Sequence, residues 1–338
     1  MYFIITREKS SGDIAVTNTY ISTIRKAIGE LDEQCEVWNG SDRISKYKDY
    51  LIFDECKVAA QYVLKGYRNI IVWIQGIVPE EALMKGYAMY RYWVHSLLEY
   101  ITLKKAKLIF LCSDAMKKHY EKKYHLNLTK KTFIMPCFNE ISISDKAFSD
   151  PRKISENNFV YIGSLSAWQC FEETLQVYKK IESNSKVETR IYIYTYEQEK
   201  AFRLLKKYAI KNYVVDFLPS NQLGKVLGKF KYGFVLRKNH IVNRVATPTK
   251  LSNYIAHGII PIYSECLDSF NKYVKETKGK AIVCNVENLD EGIANIYSDM
   301  TSVLDLDQLK QWCTYTFDSY YNQHCYCRQI AEFWKKIN

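Results

Sequence analysis

The chain has 338 residues, a length that points to two domains, and its 47% apolar content can build a full core in each. The formal charge of +11 fits a phosphate-bearing ligand, a nucleic acid or an anionic membrane surface. No apolar run reaches the ~18 residues of a membrane span. The ten cysteines contain no C-x-x-C pair, which fits a reducing cytoplasm. The opening "MYFIIT" reads as a strand running straight into polar residues, with no signal peptide in view.

Apolar runs predict strands over 2–6, 50–53, 69–74, 108–112 and 132–135. Helical spacing predicts helices over 17–30, 56–65, 80–104 and 113–123. The polar stretch "FNEISISDKAFSDPRKISENN" after Pro136 and Cys137 reads as an interdomain linker. A second series follows, with strands at 159–162, 189–194, 213–217, 233–236, 260–263 and 281–284. Its helices fill 170–182, 197–209, 221–228 and 248–256. Such alternation favours parallel sheets with right-handed crossovers, so each half is expected to be Rossmann-like. The expected domains are 1–150 and 151–316, with 317–338 a helix packing back on the body. Two such units would face each other across a cleft at the carboxyl ends of their strands, where ligands of open α/β sheets bind.

Within helix 80–104, Tyr87, Tyr90, Val94, Leu97 and Ile101 keep helical spacing, and Arg91, His95, Glu99 and Thr102 form a polar stripe. Two readings stay open: a helix buried by its apolar side with the polar stripe solvated, or the wall of an acceptor or lipid-facing groove. Residues 104–131 hold nine lysines against Asp114 and Glu121, a candidate patch for an anionic membrane from Lys104 to Lys131. Residues 224–280 hold eleven Lys or Arg against three acids. No nucleic-acid partner is expected.

Several chemistries lack their motif. No G-x-G-x-x-G follows the first strand, and no P-loop or G-x-S-x-G elbow is present. His324, Cys325 and Cys327 are poorly spaced for zinc and read as thiols buried on a helix. Asp305 and Asp307 form a D-x-D, but they precede a helical run and read as a cap. No metal site is expected.

What remains is cationic. The strand "VYI" runs into Gly163 and Ser164, where a glycine lets backbone approach a ligand. After "GFVL" the chain reads "RKNHIVNRVATPTKLSNYIAHGIIPI". Thr247 is placed to cap a helix and Pro248 to occupy its first turn. The free N–H groups from Thr249 onward, with Lys250 and Arg244, suit a diphosphate. The other reading is an ordinary capped helix with solvated cations.

This pattern resembles the donor site of retaining GT-B glycosyltransferases of family 4, in the subgroup carrying P-x-K. The matching residues are Arg237, Arg244, Pro248, Thr249, Lys250, Tyr254, Ala256, Gly258, Pro261 and Ile262. "YIGSLS", "DFLPSNQL" and "LIFLCSDAMKKHY" resemble further segments of that family in the same order. The resemblance implies a nucleotide-sugar donor, a UDP-sugar first, on the second domain, and a saccharide or polyprenyl-diphosphate-linked acceptor on the first. It implies transfer with retention, in synthesis of a surface polysaccharide such as capsule or O-antigen, at the cytoplasmic face of the membrane. Lys250 would bind phosphate and Arg244 would be its second cation, both acting on the leaving group in place of a metal. Gly163 and Ser164 would line the diphosphate, and Leu218 and Pro219 the base. Arg237, Thr247, Pro248, Thr249 and Asn253 would complete the donor side. Gly12 and Asp13, in "SSGDIA", and Gln75 would border the acceptor. Two glutamates eight positions apart in many members are here Val245 and Asn253. The loss at Asn253 raises a second hypothesis, a non-catalytic partner subunit. A nucleotide-sugar epimerase on the same scaffold would need a dense set of acids and histidines, which this sequence does not display.

Overall fold

The computed structural model describes residues 1–5, 14–38 and 43–337. The chain forms two compact units. One comprises Met1–Cys137, Arg244–Thr247 and Asn322–Asn338; the other comprises Phe138–Asn243 and Pro248–Tyr321.

The first unit runs β1 (Tyr2–Ile5), α1 (Ile14–Gly29), β2 (Cys35–Val37), β3 (Tyr50–Phe53), α2 (Cys56–Leu64), β4 (Ile70–Ile74), α3 (Val78–Met84), α4 (Met89–Lys105), β5 (Leu108–Leu111), α5 (Asp114–Tyr124) and β6 (Thr132–Ile134). All its strands pair in parallel, in the order β2-β1-β3-β4-β5-β6. Strand "IIVWI" is buried throughout, as expected of a parallel strand covered on both faces. Tyr20 of α1 stacks on Trp73 of β4 with ring centroids 4.0 Å apart.

The second unit opens with two single-turn helices, α6 (Asp145–Phe148) and α7 (Arg152–Ser155). It continues β7 (Asn157–Ile162), α8 (Phe171–Asn184), β8 (Thr189–Tyr194), α9 (Gln198–Lys207), β9 (Tyr213–Asp216), α10 (Ser220–Leu227) and β10 (Tyr232–Val235). Then come α11 (Ile241–Arg244), α12 (Lys250–Ala256), β11 (Ile260–Tyr263), α13 (Asp268–Thr277), β12 (Ile282–Val283), α14 (Leu289–Thr301) and α15 (Leu306–Ser319). Its parallel sheet has the order β12-β11-β10-β7-β8-β9, the doubly wound dinucleotide-fold order read from the other edge. The order reverses between β7 and β10, so the crevice at their carboxyl ends is this unit's natural ligand position. The last helix, α16 (Gln323–Ile337), returns to the first unit. There Trp334 Nε1 donates to the Tyr2 hydroxyl at 2.7 Å, and the Cys327 thiol to the carbonyl of Thr23 at 3.5 Å.

Four expectations change. The boundary falls after Cys137 rather than after residue 150, and Phe317–Tyr321 stays with the second unit. The polar stretch 138–158 is not a linker. Its Lys153 is fully buried and donates to the carbonyls of Phe230, His257 and Gly258 at 2.8, 2.9 and 3.2 Å. The long helix expected over 80–104 is two helices. Gly86 takes φ +74°, its N–H donates to Leu83 O, and that of Tyr87 to Ala82 O, which is a Schellman stop to α3. Finally, α4 is turned the opposite way from a solvated polar stripe: Glu99 is 1% exposed and Thr102 0%, while Trp93 is 66% and Leu97 58% exposed.

Candidate functional site

At the end of β7 the chain turns through Gly163 at φ +112°, a conformation that side-chain-bearing residues rarely adopt. A Cβ there would stand 3.1 Å from Cε and 3.3 Å from Nζ of Lys250. The glycine thus leaves room for the first side chain of α12 to cross the end of β7. Lys250 Nζ donates to Gln169 Oε1 at 2.7 Å and lies 4.4 Å from the centroid of the Tyr161 ring. Arg237 follows β10, on the other side of the strand-order reversal. It is 3% exposed; its Nη1 donates to the Leu236 carbonyl at 2.8 Å and its N–H to Ser264 Oγ at 3.0 Å.

Burial, and then the neighbouring Arg237 guanidinium, push the Lys250 ammonium well below its ordinary value. Burial also lowers Arg237. Among the described residues neither cation forms an ion pair with a carboxylate. Two buried like charges without a counter-ion are costly, and an anion at the switch point offsets that cost.

Of the other residues expected on the donor side, Ser164, Leu218, Pro219 and Asn253 belong to the second unit. Ser164 is half-buried, its carbonyl accepts from the Tyr161 hydroxyl at 2.7 Å, and its hydroxyl is 3.0 Å from that of Ser166. Leu218 and Pro219 follow β9, two strands from β7, roughly 10 Å at ordinary strand spacing. Asn253 is 8% exposed, and its Oδ1 is buried without a hydrogen-bond partner among the described residues.

The helix start differs from expectation. α12 begins at Lys250, after a single tight turn in which Leu251 N–H donates to the Pro248 carbonyl at 3.1 Å. Thr249 stands at its cap position, and no side chain caps it. The Thr247 hydroxyl instead accepts from the N–H of Cys137 at 2.9 Å, within the first unit. Arg244 is the exposed last residue of α11 and groups with the first unit. Within the second unit the cation neighbouring Lys250 is Arg237. Tyr161 and Gln169, which position Lys250, carry no motif by which the sequence could reveal them.

The first unit has its own cavity, about 530 Å³, at the carboxyl ends of β3 and β4. Gln75 and Gly76 after β4, Asp54 after β3, and Glu81, His95 and Glu99 from α3 and α4 line it. Burial raises Glu81 above the usual carboxylate range and pushes Glu99 up to about 7. Glu99 is held by the hydroxyls of Tyr124 at 2.7 Å and Tyr120 at 3.2 Å and by Lys123 at 3.4 Å. Burial, Lys57 and Arg91 lower His95. Gln75 is exposed at the rim. Gly12 and Asp13 lie outside the described residues. Sequence reasoning had not assigned Asp54 or Glu81 to this place; an acid directly after an apolar strand was the available signal for Asp54.

Among the described residues no group of three or more His, Cys, Asp or Glu side chains is placed to hold a metal ion, and no helix is long and apolar enough to cross a membrane. Asp305 caps α15 by accepting from Gln308 N–H at 2.9 Å, as expected. Cys327 is buried and Cys325 half-buried, both as free thiols.

No protein-family profile and no curated protein sequence matches the chain. Solved structures do. A sucrose-phosphate synthase from Thermosynechococcus elongatus superposes with a TM-score of 0.70 at 10% identity, covering 100% of this chain and 99% of that one. The lipopolysaccharide outer core galactosyltransferase WaaB superposes at 0.65 and 11% identity, covering 99% and 100%. S. aureus TarM, in a complex containing UDP, superposes at 0.63 and 11% identity, covering 87% of this chain. The chain spans 56% of TarM's length. The fold is therefore the GT-B fold, with two doubly wound α/β units.

Proposed function

We propose that the chain is a glycosyltransferase that takes a sugar from a nucleotide-sugar donor, a UDP-sugar first, and transfers it with retention of anomeric configuration. The observation that carries this reading is the buried pair Lys250 and Arg237, without a carboxylate partner among the described residues, beside Gly163 at the strand-order reversal. As the bond from the anomeric carbon to the diphosphate breaks, negative charge grows on the leaving phosphate. The two cations are already in place to meet it, and one such preorganised donor is worth roughly 3–4 kcal/mol of barrier. In this reading the diphosphate lies along Gly163 and Ser164, and Leu218 and Pro219 flank the base. The Asn253 Oδ1, without a partner among the described residues, accepts from a ribose hydroxyl. The cations stand in for a divalent ion, so donor binding and turnover should survive EDTA.

The cavity of the first unit suits a polyol, because its carboxyl, amide and imidazole groups accept and donate to hydroxyls. The acceptor is accordingly a saccharide, free or on a polyprenyl diphosphate, in assembly of a cell-surface polysaccharide such as capsule or O-antigen. The kinship in fold with a lipopolysaccharide galactosyltransferase supports this assignment.

A thermal-shift panel of nucleotides and nucleotide sugars, with product analysis, tests it. A donor at 100 times its dissociation constant should add about 2.7 kcal/mol of stability. Absence of any nucleotide response would sink the donor site. Loss of binding in EDTA, restored by a divalent ion, would overturn the metal-free reading. The amide at Asn253 favours one alternative, a partner subunit that binds nucleotide but transfers nothing. Binding without product against a panel of acceptors would support it.

A further inference from the structure

Helix α4 is inside out. Its polar residues Ser96, Glu99 and Thr102 are buried, and the last two are paired within the first unit: Thr102 Oγ1 donates to the Cys56 carbonyl at 2.9 Å, and Glu99 is held by two tyrosines and a lysine. Most apolar residues of its first half face out. Tyr90, Trp93, Val94 and Leu97 share one face at helical spacing, with Met89 and Tyr87 at its start, and all six are exposed. The helix is about 25 Å long, and this face takes up its first half, about 12 Å from Met89 to Leu97. Water is a poor neighbour for such a surface, and contiguous apolar patches of this kind mark sites of contact.

The charges around it identify the contact. Every exposed charge on α4 is basic: Arg91, whose guanidinium lies 4.9 Å from the Tyr87 ring centroid, and Lys104 and Lys105 at its end. Its only acid, Glu99, is buried. On α5, Lys118 and Lys122 are exposed as well. A second copy of this chain laid face to face would set these cations against themselves. Tyr and Trp among aliphatic residues, rimmed by Arg and Lys, is the composition of a helix lying in the headgroup region of an anionic bilayer.

We propose that the outer face of α4 is a docking surface for an anionic lipid bilayer, with Trp93 and Leu97 entering the interface. The lysines of 104–131 contribute less than their number implies. Lys131 is turned onto the carbonyls of Leu103, Lys104 and Ala106, and Lys123 is paired with Glu80 and Glu99. Docking needs no sugar donor, so its failure is separable from that of the transferase reading.

The test is flotation of the full chain with phosphatidylcholine vesicles, with and without phosphatidylglycerol. The expected result is binding to the anionic vesicles at low salt and quenching of Trp93 fluorescence by brominated lipid, assigned by its loss in Trp93→Phe. The double substitution Trp93→Glu, Leu97→Glu should weaken binding roughly tenfold or more with the melting temperature unchanged, since both side chains are exposed. Lys118→Gln with Lys122→Gln should remove only a salt-sensitive fraction. Absence of flotation at low salt, or flotation unchanged by the two glutamates, would overturn the proposal. So would a wild-type dimer in light scattering that the same glutamates split, because the face would then belong to a second copy.

Discussion

The carboxyl ends of the two sheets carry opposite chemistry. In the first unit the cavity gathers Asp54, Glu81 and Glu99, and burial raises the last two toward neutrality. In the second unit the strand-order reversal gathers Lys250 and Arg237, and burial lowers both. The same physics, charge withdrawn from water, drives both pairs toward their neutral forms. In the first, Glu99 is met by two tyrosine hydroxyls and a lysine. The second has no carboxylate partner among the described residues. In the proposed reading, one sheet thus meets neutral hydroxyls and the other a diphosphate.

The sharpest way to break this contrast is to remove the unanswered charge. Lys250→Ala should lower turnover by at least about tenfold and erase the nucleotide-dependent thermal shift. The ligand-free protein should nevertheless melt no lower with Lys250→Met, because that change deletes a buried charge and keeps the stem. A large drop in the melting temperature of the methionine variant would mean that the lysine already has its partner. Unchanged turnover in the alanine variant would remove Lys250 from the mechanism.

The acidic side has a pH signature. With Glu99 pushed up to about 7 from an ordinary 4.5, the folded protein holds a proton that the unfolded chain releases between those values. This contribution to stability is therefore full below about 4.5 and is lost as pH rises to about 7, by at most about 3 kcal/mol. Glu99→Gln should flatten that slope in denaturant titrations. A wild type that gains stability across the same window through this residue would show Glu99 ionised against Lys123.

The smallest expected effect concerns Asn253. Its side-chain oxygen, without a partner among the described residues, predicts that Asn253→Ala weakens nucleotide binding. Asn253→Glu should tighten it by up to about tenfold, ~1.4 kcal/mol, because charge-assisted bonds are the stronger kind. Calorimetry that finds both substitutions silent would remove Asn253 from the ribose.

Much of the fold was legible because parallel strands buried on both faces are short continuous apolar runs, and "YLIF", "IIVWI" and "IPIY" are that. Gly163 and Lys250 were legible too, as a glycine after a strand and a cation beside Pro248. Periodicity fails where the inward face is polar. It finds two stripes on α4 but cannot say which one turns in when Tyr120, Tyr124 and Lys123 wait to receive a carboxyl. It also misjudged 138–158, where apolar residues are sparse but one lysine finds three carbonyls. Gln169 was beyond reach, since its role depends on a side chain 81 positions away.

Lys153 has a consequence for anyone cutting the chain. The stretch around it is polar, with four serines, Lys146 and Arg152, and looks like the place to nick with trypsin or to begin a separate second half. Yet its ammonium holds together the backbone just before β10 and β11, and the Phe148 ring lies so close to Gly258 that a Cβ there would come within 2.6 Å of it. A fragment starting at residue 151 would keep the lysine and lose the ring that covers its neighbour; one starting at Phe138 keeps both. Limited proteolysis should accordingly spare the bond after Lys153 while exposed lysines elsewhere are cleaved.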